Sequence, residues 1–276
     1  MSNREMTAFV LGGGGLLGSA EVGMLRALFE QDIHPDLIVG SSVGALNGSL
    51  IAADPTDEGV RRLTDIWSGL SAQGVFAGSL LGQITTLARH GTYLHSNEDL
   101  RRLLENALGP RAQFETLAVR FECIASCIER AAPRWFASGP LVEAVMASCA
   151  VPGLFPAVEI EGAHYLDGGL IRSVPVGRAV ELGATRIFVL HVGRLEEPLE
   201  VPTKPWQVAT VTFEIARRHH FEEEMAALPE GLEVHVLPSG STAPKVSVRY
   251  RSTSQVAERI EAAYQSTAKY LSSLSQ

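Results

Sequence analysis

The sequence predicts an α/β protein, a three-layer sandwich in which helices flank a central, mostly parallel β-sheet. Short apolar segments typical of strands alternate with segments of helical periodicity, and this alternation favours parallel strands joined by helices. The run Arg186–Val192 is almost entirely apolar, as expected for a strand covered on both faces. A length of 276 residues with 46% hydrophobic residues suits one sizeable core, so we expect residues 1–276 to form a single domain.

The elements closest to the N-terminus follow one another in a strand–loop–helix order. A strand is predicted at Thr7–Leu11, followed by a glycine-rich loop and a helix from about Leu16 to Gln31, whose apolar residues cluster on one face. A second strand is predicted at Leu37–Val39 and a second helix at Val43–Ala53. Further strands are predicted at 121–128, 134–137, 158–160, 164–166, 186–192 and 232–237, and further helices at 57–70, 141–148, 206–228 and about 255–274. Another helix is predicted to begin at the capping box of residues 96–99 and to stop at Gly109-Pro110.

Charge and composition exclude several classes of function. With 31 acidic and 23 basic residues the net charge is −8, so the surface repels phosphate backbones and nucleic-acid binding is not expected. We find no signal peptide and no transmembrane segment, and expect a cytoplasmic protein that reaches a membrane or micelle surface only by transient apolar contact. Cys123, Cys127 and Cys149 lack disulfide spacing and are expected to be buried, reduced thiols.

Ser42 lies in a G-x-S-x-G motif with Gly40 and Gly44, directly after the second strand. A strand that turns sharply into a helix lifts the serine Oγ clear of the backbone, and the glycines let the chain pass without Cβ clashes. An exposed serine on such a turn is what acyl transfer requires of a nucleophile. The motif makes Ser42 the candidate nucleophile, although taken alone it also fits an ordinary strand-to-helix loop.

A second motif is the glycine-rich loop between the first strand and the first helix. Consecutive glycines let several backbone N–H groups point together at a helix N-terminus, where they attract negative charge. Such a loop suits an oxyanion hole or the phosphates of a dinucleotide, whose G-x-G-x-x-G pattern is matched at Gly13, Gly15 and Gly18. A dinucleotide site needs an acidic residue after the second strand, but Asp32 and Asp36 precede it. We therefore favour the oxyanion hole over a dinucleotide site and over a tight turn with a purely structural role.

A third motif is Asp167, followed by Gly168 and Gly169. Two glycines beside a carboxylate give an open loop in which the acid can approach another backbone closely. A partly desolvated carboxylate can take the proton of a serine directly. Asp167 is therefore the candidate general base, although an Asp-Gly turn alone is also a common loop.

Together, in this order, the three motifs resemble those of the patatin-like phospholipase family. The similar segments are residues 13–18, 40–47, 147–156 and 167–170, with Val174-Pro175-Val176 after the last. The resemblance covers roughly residues 6–195. Residues 196–276 carry no diagnostic motif and are expected to be a C-terminal extension packed on the core.

This resemblance implies a lipid acyl hydrolase of phospholipase, lysophospholipase or esterase type, with a serine–aspartate dyad and no catalytic histidine. Ser42 would attack the carbonyl of a lipid or acyl ester, and Asp167 would act as general base. The backbone donors of the oxyanion hole would be Gly13, Gly14, Gly15 and Leu16. The glycines that shape the motifs would be Gly18, Gly40, Gly44, Gly168 and Gly169. No metal and no cofactor is expected.

Two positions depart from the family pattern. Leu17 stands where the family loop usually carries arginine or lysine, and the loss of that fixed charge favours a neutral ester over a phospholipid. Ser173 stands where asparagine often follows the acid motif, which could alter hydrogen bonding in the loop. Neither departure touches the nucleophile or the acid.

The same motifs are also compatible with other activities. The same site could transfer the acyl group to an alcohol, as a transacylase does, and the glycine loop could serve a nucleotide-binding oxidoreductase. A catalytically silent interaction protein is a third possibility. A Ser-His-Asp triad is a further alternative, with His191 as the best-placed histidine. An apolar stripe between Phe76 and Leu87 could pack in the core, or form a flap or acyl pocket.

Overall fold

The computed structural model describes residues 5–73, 95–192, 198–199, 201–203, 205–240 and 253–274. The apolar stripe between Phe76 and Leu87 lies outside this range. The strands are β1 (Thr7–Leu11), β2 (Leu37–Ser41), β3 (Arg120–Cys127), β4 (Ala132–Phe136), β5 (Val158–Ile160), β6 (Ala163–Asp167), β7 (Arg186–Leu190) and β8 (Glu233–Val236). The helices are α1 (Ser19–Glu30), α2 (Val43–Ala53), α3 (Asp57–Gln73), α4 (Glu98–Leu108), α5 (Leu141–Ser148), α6 (Val176–Glu181), α7 (Pro205–Ala226) and α8 (Thr253–Leu274).

The strands form one 8-stranded sheet in the order β5-β6-β3-β2-β1-β7-β8, with β4 paired to β3. The central pairs β3–β2, β2–β1, β1–β7 and β7–β8 are parallel, whereas the pairs made by β4, β5 and β6 are antiparallel. The predicted α/β class with a mostly parallel sheet is confirmed. Two details differ from the prediction, because the first helix begins with a 3₁₀ turn at Gly15–Gly18 and the short helix α6 was not predicted.

Helices cover both faces of the sheet. Because side chains alternate along a strand, Phe9 and Leu11 of β1 face one layer, in which the buried residues of α1 to α5 and α8 pack together. Ala8 and Val10 face the other layer, in which α6 and α7 pack. The two apolar clusters on opposite faces explain why the central strands are apolar throughout, and they give the three layers of the sandwich.

The pairing around β3 brings two distant segments together. β4 pairs with residues 123–127 of β3 and so occupies one edge of that strand. β2 pairs with residues 120–124 and β6 with residues 125–127, so both lie along the other edge, end to end. Ser41 at the end of β2 is opposite Ile124, and Asp167 at the end of β6 is opposite Ala125. The antiparallel course of β6 therefore delivers Asp167 to the point where β2 ends and Ser42 begins the turn.

Candidate active site

Ser42 occupies the sharp turn between β2 and α2. Its φ of 54° and ψ of −126° lie in a region that non-glycine residues rarely adopt, at a cost of about 1–3 kcal/mol. The glycines on both sides allow close packing of the turn. A Cβ on Gly40 would lie 2.8 Å from the Cα of Ala45, and a Cβ on Gly44 would overlap the backbone carbonyl of Leu11. The surrounding backbone therefore holds Ser42 in its strained conformation.

Two side chains from the end of α5 hold the backbone of Ser42. Ser148 Oγ accepts a hydrogen bond of 3.0 Å from the Ser42 N–H, and the Cys149 thiol donates to the Ser42 carbonyl with a Sγ–O distance of 3.0 Å. Burial raises the pKa of Cys149 well above its ordinary value, with a further contribution from the Asp167 charge, so this side chain stays a thiol. Sequence reasoning assigned Ser148 and Cys149 no role in the site. All three cysteines are buried and free, as predicted.

The side chains of Ser42 and Asp167 are in direct contact. Ser42 Oγ donates a hydrogen bond of 2.6 Å to Asp167 Oδ2, across 125 positions of sequence. Asp167 is only 1% exposed and Ser42 7% exposed. A distance this short suits a hydrogen bond from a hydroxyl to a carboxylate. The two residues are thus placed for proton transfer without an intervening group.

Backbone and side-chain contacts fix the orientation of Asp167. Its Oδ1 accepts 2.7 Å from the Gly169 N–H, its own N–H donates to the Ala150 carbonyl at 2.9 Å, and its carbonyl accepts from Ser126 Oγ at 2.8 Å. Burial raises the pKa of Asp167 from 3.8 to about 6, although the hydrogen bonds from Ser42 and Gly169 lower it. The carboxylate is therefore a stronger base than an exposed aspartate and still ionised at neutral pH.

The glycine loop lies directly against the nucleophile, since a Cβ on Gly13 would be 3.3 Å from the Cβ of Ser42. The Gly13 N–H donates to the Ser173 carbonyl at 2.7 Å. It is therefore not a free donor, and the expectation that Gly13 serves the oxyanion hole is corrected on this ground. Within the described residues, the N–H groups of Gly14, Gly15 and Leu16 have no hydrogen-bond acceptor. These three amides remain as donors.

A buried polar network centred on Asn47 holds the C-terminal end of the glycine loop. Asn47 Nδ2 donates to the Gly18 carbonyl at 3.0 Å and to Glu21 Oε2 at 2.7 Å, while its Oδ1 accepts 2.9 Å from Trp67 Nε1. Burial raises the pKa of Glu21 well above its ordinary value, against the effect of the bond from Asn47. Asn47 thereby ties the end of the glycine loop to α2 and α3.

His191 does not join this site. Its ring stacks on Phe221 at 5.0 Å, and neither ring nitrogen has a hydrogen-bond partner among the residues that the structure describes. Burial lowers the pKa of His191 to about 3, with a further contribution from the Arg217 charge. Asp167 instead bonds to Ser42 itself, so a triad through His191 finds no support in the geometry.

Two further features bear on the chemistry. Within the described residues, no cluster of histidine, cysteine, aspartate or glutamate is arranged to hold a metal ion. None of the helices in the same residues has the length and apolar character needed to span a bilayer.

A cavity of about 1060 Å³ lies between α2, α3 and α4, lined by residues such as Leu50, Arg62 and Leu103. It is at the end of α2 opposite to Ser42 and is not part of this site.

Comparison with known proteins gives concordant matches. Residues 9–180 match the family described as patatin-like phospholipase. Lysophospholipase nte1 of Aspergillus terreus is 33% identical in an alignment of 192 residues, and the match covers 68% of this chain and 12% of that protein. The patatin-like phospholipase domain-containing protein ZK370.4 of Caenorhabditis elegans is 35% identical in an alignment of 199 residues, and the match covers 68% of this chain and 14% of that protein.

A solved structure shows the same fold. VipD from Legionella pneumophila superimposes with a TM-score of 0.51 at 14% identity, over 98% of this chain and 67% of that one. The curated relatives are much longer, since the chain spans only 12–14% of their lengths. The match over residues 9–180 and the identity to these relatives show that the chain belongs to the patatin-like phospholipase family.

Proposed function

We propose that this chain is a lipid acyl hydrolase in which Ser42 is the nucleophile and Asp167 the general base and acid. The observation that carries the proposal is the 2.6 Å hydrogen bond from Ser42 Oγ to the buried Asp167 carboxylate. Three amides of the adjacent glycine loop, which have no acceptor among the described residues, complete the requirements of acyl transfer, which are a nucleophile, a base and donors for the oxyanion. We propose further that residues 1–276 act as one unit.

The first half of the reaction acylates Ser42. Asp167 Oδ2 takes the hydroxyl proton while Ser42 Oγ forms a bond to the ester carbonyl carbon, and the carbonyl oxygen becomes negative. The N–H groups of Gly14, Gly15 and Leu16 donate to this oxygen. When the intermediate collapses, the bond to the leaving alcohol breaks and Asp167 returns the proton to the alcohol oxygen. The acyl group remains on Ser42.

The second half removes the acyl group. A water molecule attacks the acyl carbonyl and gives a proton to Asp167, and the oxyanion again accepts from the glycine loop. Collapse breaks the bond to Ser42 Oγ, which recovers the proton from Asp167, and the fatty acid leaves. An alcohol in place of water would give acyl transfer, so the hydrolase and the transacylase share every step except the identity of this acceptor.

We expect the wild-type protein to hydrolyse both 4-nitrophenyl acyl esters and a lysophospholipid. The relative named lysophospholipase supports the lysophospholipid as a substrate. Position 17 carries leucine and no basic side chain, which favours the uncharged 4-nitrophenyl ester. A panel of both substrates at several chain lengths, with and without added monoacylglycerol as acceptor, measures this. Free fatty acid as the main product supports hydrolysis, transfer to the added alcohol identifies the transacylase, and no cleavage of any ester would contradict the proposal.

The pH dependence of kcat/KM should report Asp167. Because the free enzyme needs this carboxylate ionised, we expect kcat/KM to rise with pH and level off, with an apparent pKa of about 6. A histidine would titrate in the same range, so the profile is repeated in a less polar solvent mixture. The apparent pKa of a carboxyl rises there because ionisation creates charge, whereas that of an imidazolium does not rise. A midpoint that stays fixed or falls would count against Asp167.

A further inference from the structure

The C-terminal helix α8 packs closely against α1, although it lies outside residues 9–180 that define the family match. A Cβ on Gly23 of α1 would overlap the backbone carbonyl of Ile260, so the two helix backbones are nearly in contact. At the exposed side of this contact, Arg26 Nη1 is 3.3 Å from Glu261 Oε2. Helix α8 therefore has a fixed position relative to α1 and to the glycine loop that precedes it.

Arg259 extends from α8 to the glycine loop. Its Nη1 donates to the Leu16 carbonyl at 3.0 Å and to Ser19 Oγ at 3.0 Å, across 243 and 240 positions of sequence. Arg259 is only 8% exposed and Ser19 is fully buried. A guanidinium taken out of water is costly unless its N–H groups are satisfied. The hydrogen bonds to the Leu16 carbonyl and to Ser19 Oγ therefore offset part of the cost of burying Arg259.

Two peptide groups, Leu16–Leu17 and Gly14–Gly15, connect Arg259 with the donors proposed for the oxyanion. In a planar trans peptide the C=O and the following N–H point in opposite directions. Arg259 holds the Leu16 carbonyl, and the N–H at the other end of that peptide, which belongs to Leu17, donates to the Gly14 carbonyl at 3.1 Å. The Gly14 carbonyl in turn shares its peptide with the Gly15 N–H, which must point the opposite way.

We infer that Arg259 is a positioning residue for the oxyanion hole: through Leu16 and Gly14 it sets the direction of the Gly15 N–H. Gly15 has a φ of 55°, which glycine adopts without strain, and it has no side chain that could hold its backbone in place. Asn47 holds the far end of the loop at Gly18, so Arg259 and Asn47 together fix the loop from both α8 and α2. The inference rests on the proposed function of the loop.

The test compares Arg259→Met, which keeps the length and apolar packing of the side chain, with Arg259→Lys, which can still donate to the Leu16 carbonyl. A direct oxyanion donor is worth about 10²–10³ in kcat, so we expect a smaller loss of about 10- to 100-fold in kcat for Arg259→Met. KM should stay within about twofold, because the lost interaction is one made in the transition state. Arg259→Lys should recover most of kcat.

Arg26→Met is the matched control, because Arg26 also bridges α1 and α8 but contacts Glu261 and Tyr264 at the surface rather than the loop. We expect its kcat to equal that of the wild type.

A trifluoromethyl ketone, whose serine adduct carries the oxyanion, gives a second readout. Its affinity should fall in proportion to kcat for Arg259→Met, whereas binding of the product fatty acid should not change.

Three outcomes decide the inference. A loss of kcat with unchanged KM and weaker ketone binding in Arg259→Met, recovered in Arg259→Lys, supports it. Wild-type kcat and ketone affinity in folded Arg259→Met overturns it. If Arg259→Met does not fold, Arg259→Lys decides. A partial loss of kcat at unchanged KM, with proportionately weaker ketone binding, supports the inference, whereas wild-type kcat and ketone affinity, or a higher KM with weaker fatty-acid binding, overturns it. An inactive wild type would instead refute the proposed function, so the two failures are distinguishable.

Discussion

Replacing Ser42 with alanine is expected to lower kcat for ester hydrolysis by at least about a thousandfold, the scale seen when a catalytic nucleophile is removed. The variant lacks the oxygen that forms the acyl-enzyme, while the oxyanion donors and Asp167 remain in place. Initial rates on a 4-nitrophenyl ester measure the loss. Intact mass after treatment with a fluorophosphonate should show one adduct on the wild type and none on Ser42→Ala.

Ser41 provides a matched control within the same motif. Its hydroxyl is buried and has no hydrogen-bond partner in the described part of the chain, so Ser41→Ala should retain the wild-type rate and the fluorophosphonate adduct. Ser42→Gly is a second control, because glycine adopts the positive φ of this turn without strain. We expect it to be as inactive as Ser42→Ala. Appreciable activity in either Ser42 variant would remove Ser42 from the mechanism.

Replacing Asp167 with asparagine should lower kcat by a similar factor of at least about a thousand, since the members of a catalytic unit act together. Asparagine has the same shape and can still accept from the Gly169 N–H, but its amide cannot take a proton from Ser42. The rise of kcat/KM with an apparent pKa of about 6 should disappear from any residual activity. Residual activity that keeps the wild-type pH profile would assign the base to another group.

The stability of Asp167→Asn separates a chemical defect from a folding defect. The folded-state pKa of Asp167 is raised to about 6 from 3.8, so the native protein binds more protons than the unfolded chain between these values. The free energy of unfolding of the wild type therefore falls as pH rises through this window. Asparagine carries no charge, so the variant does not have the cost of burying an ionised carboxylate. Its free energy of unfolding should be higher than that of the wild type by about 1–3 kcal/mol near neutral pH, and the difference should vanish towards pH 4. Denaturant unfolding at both pH values measures it.

Local patterns in the sequence were enough to predict the fold class, the strands that converge on the site and the candidate dyad. The turn at Ser42 is encoded by Gly40 and Gly44, whose close contacts with neighbouring backbone leave no room for a side chain. Gly168 follows the same rule, since a Cβ there would overlap the Ile124 carbonyl. Motif glycines report backbone contacts that any chain with this fold must make, and they are visible without coordinates.

Contacts between distant segments could not be predicted in this way. No local pattern states that the Gly13 amide is bonded to Ser173, or that Ser148 and Cys149 hold the backbone of Ser42. Arg259 lies in a helix without any diagnostic motif, and only the packing of α8 on α1 brings it to Leu16. Such contacts depend on register and helix position, which sequence periodicity leaves open.

The most direct test of the account is the site of acylation during turnover. The wild-type protein is mixed with a long-chain 4-nitrophenyl ester, quenched in acid within the first turnover, and digested for peptide mass analysis. We predict one acyl group, on Ser42, in the wild type and none in Ser42→Ala. An acyl group on another residue, or turnover at the wild-type rate by Ser42→Ala, would contradict the account.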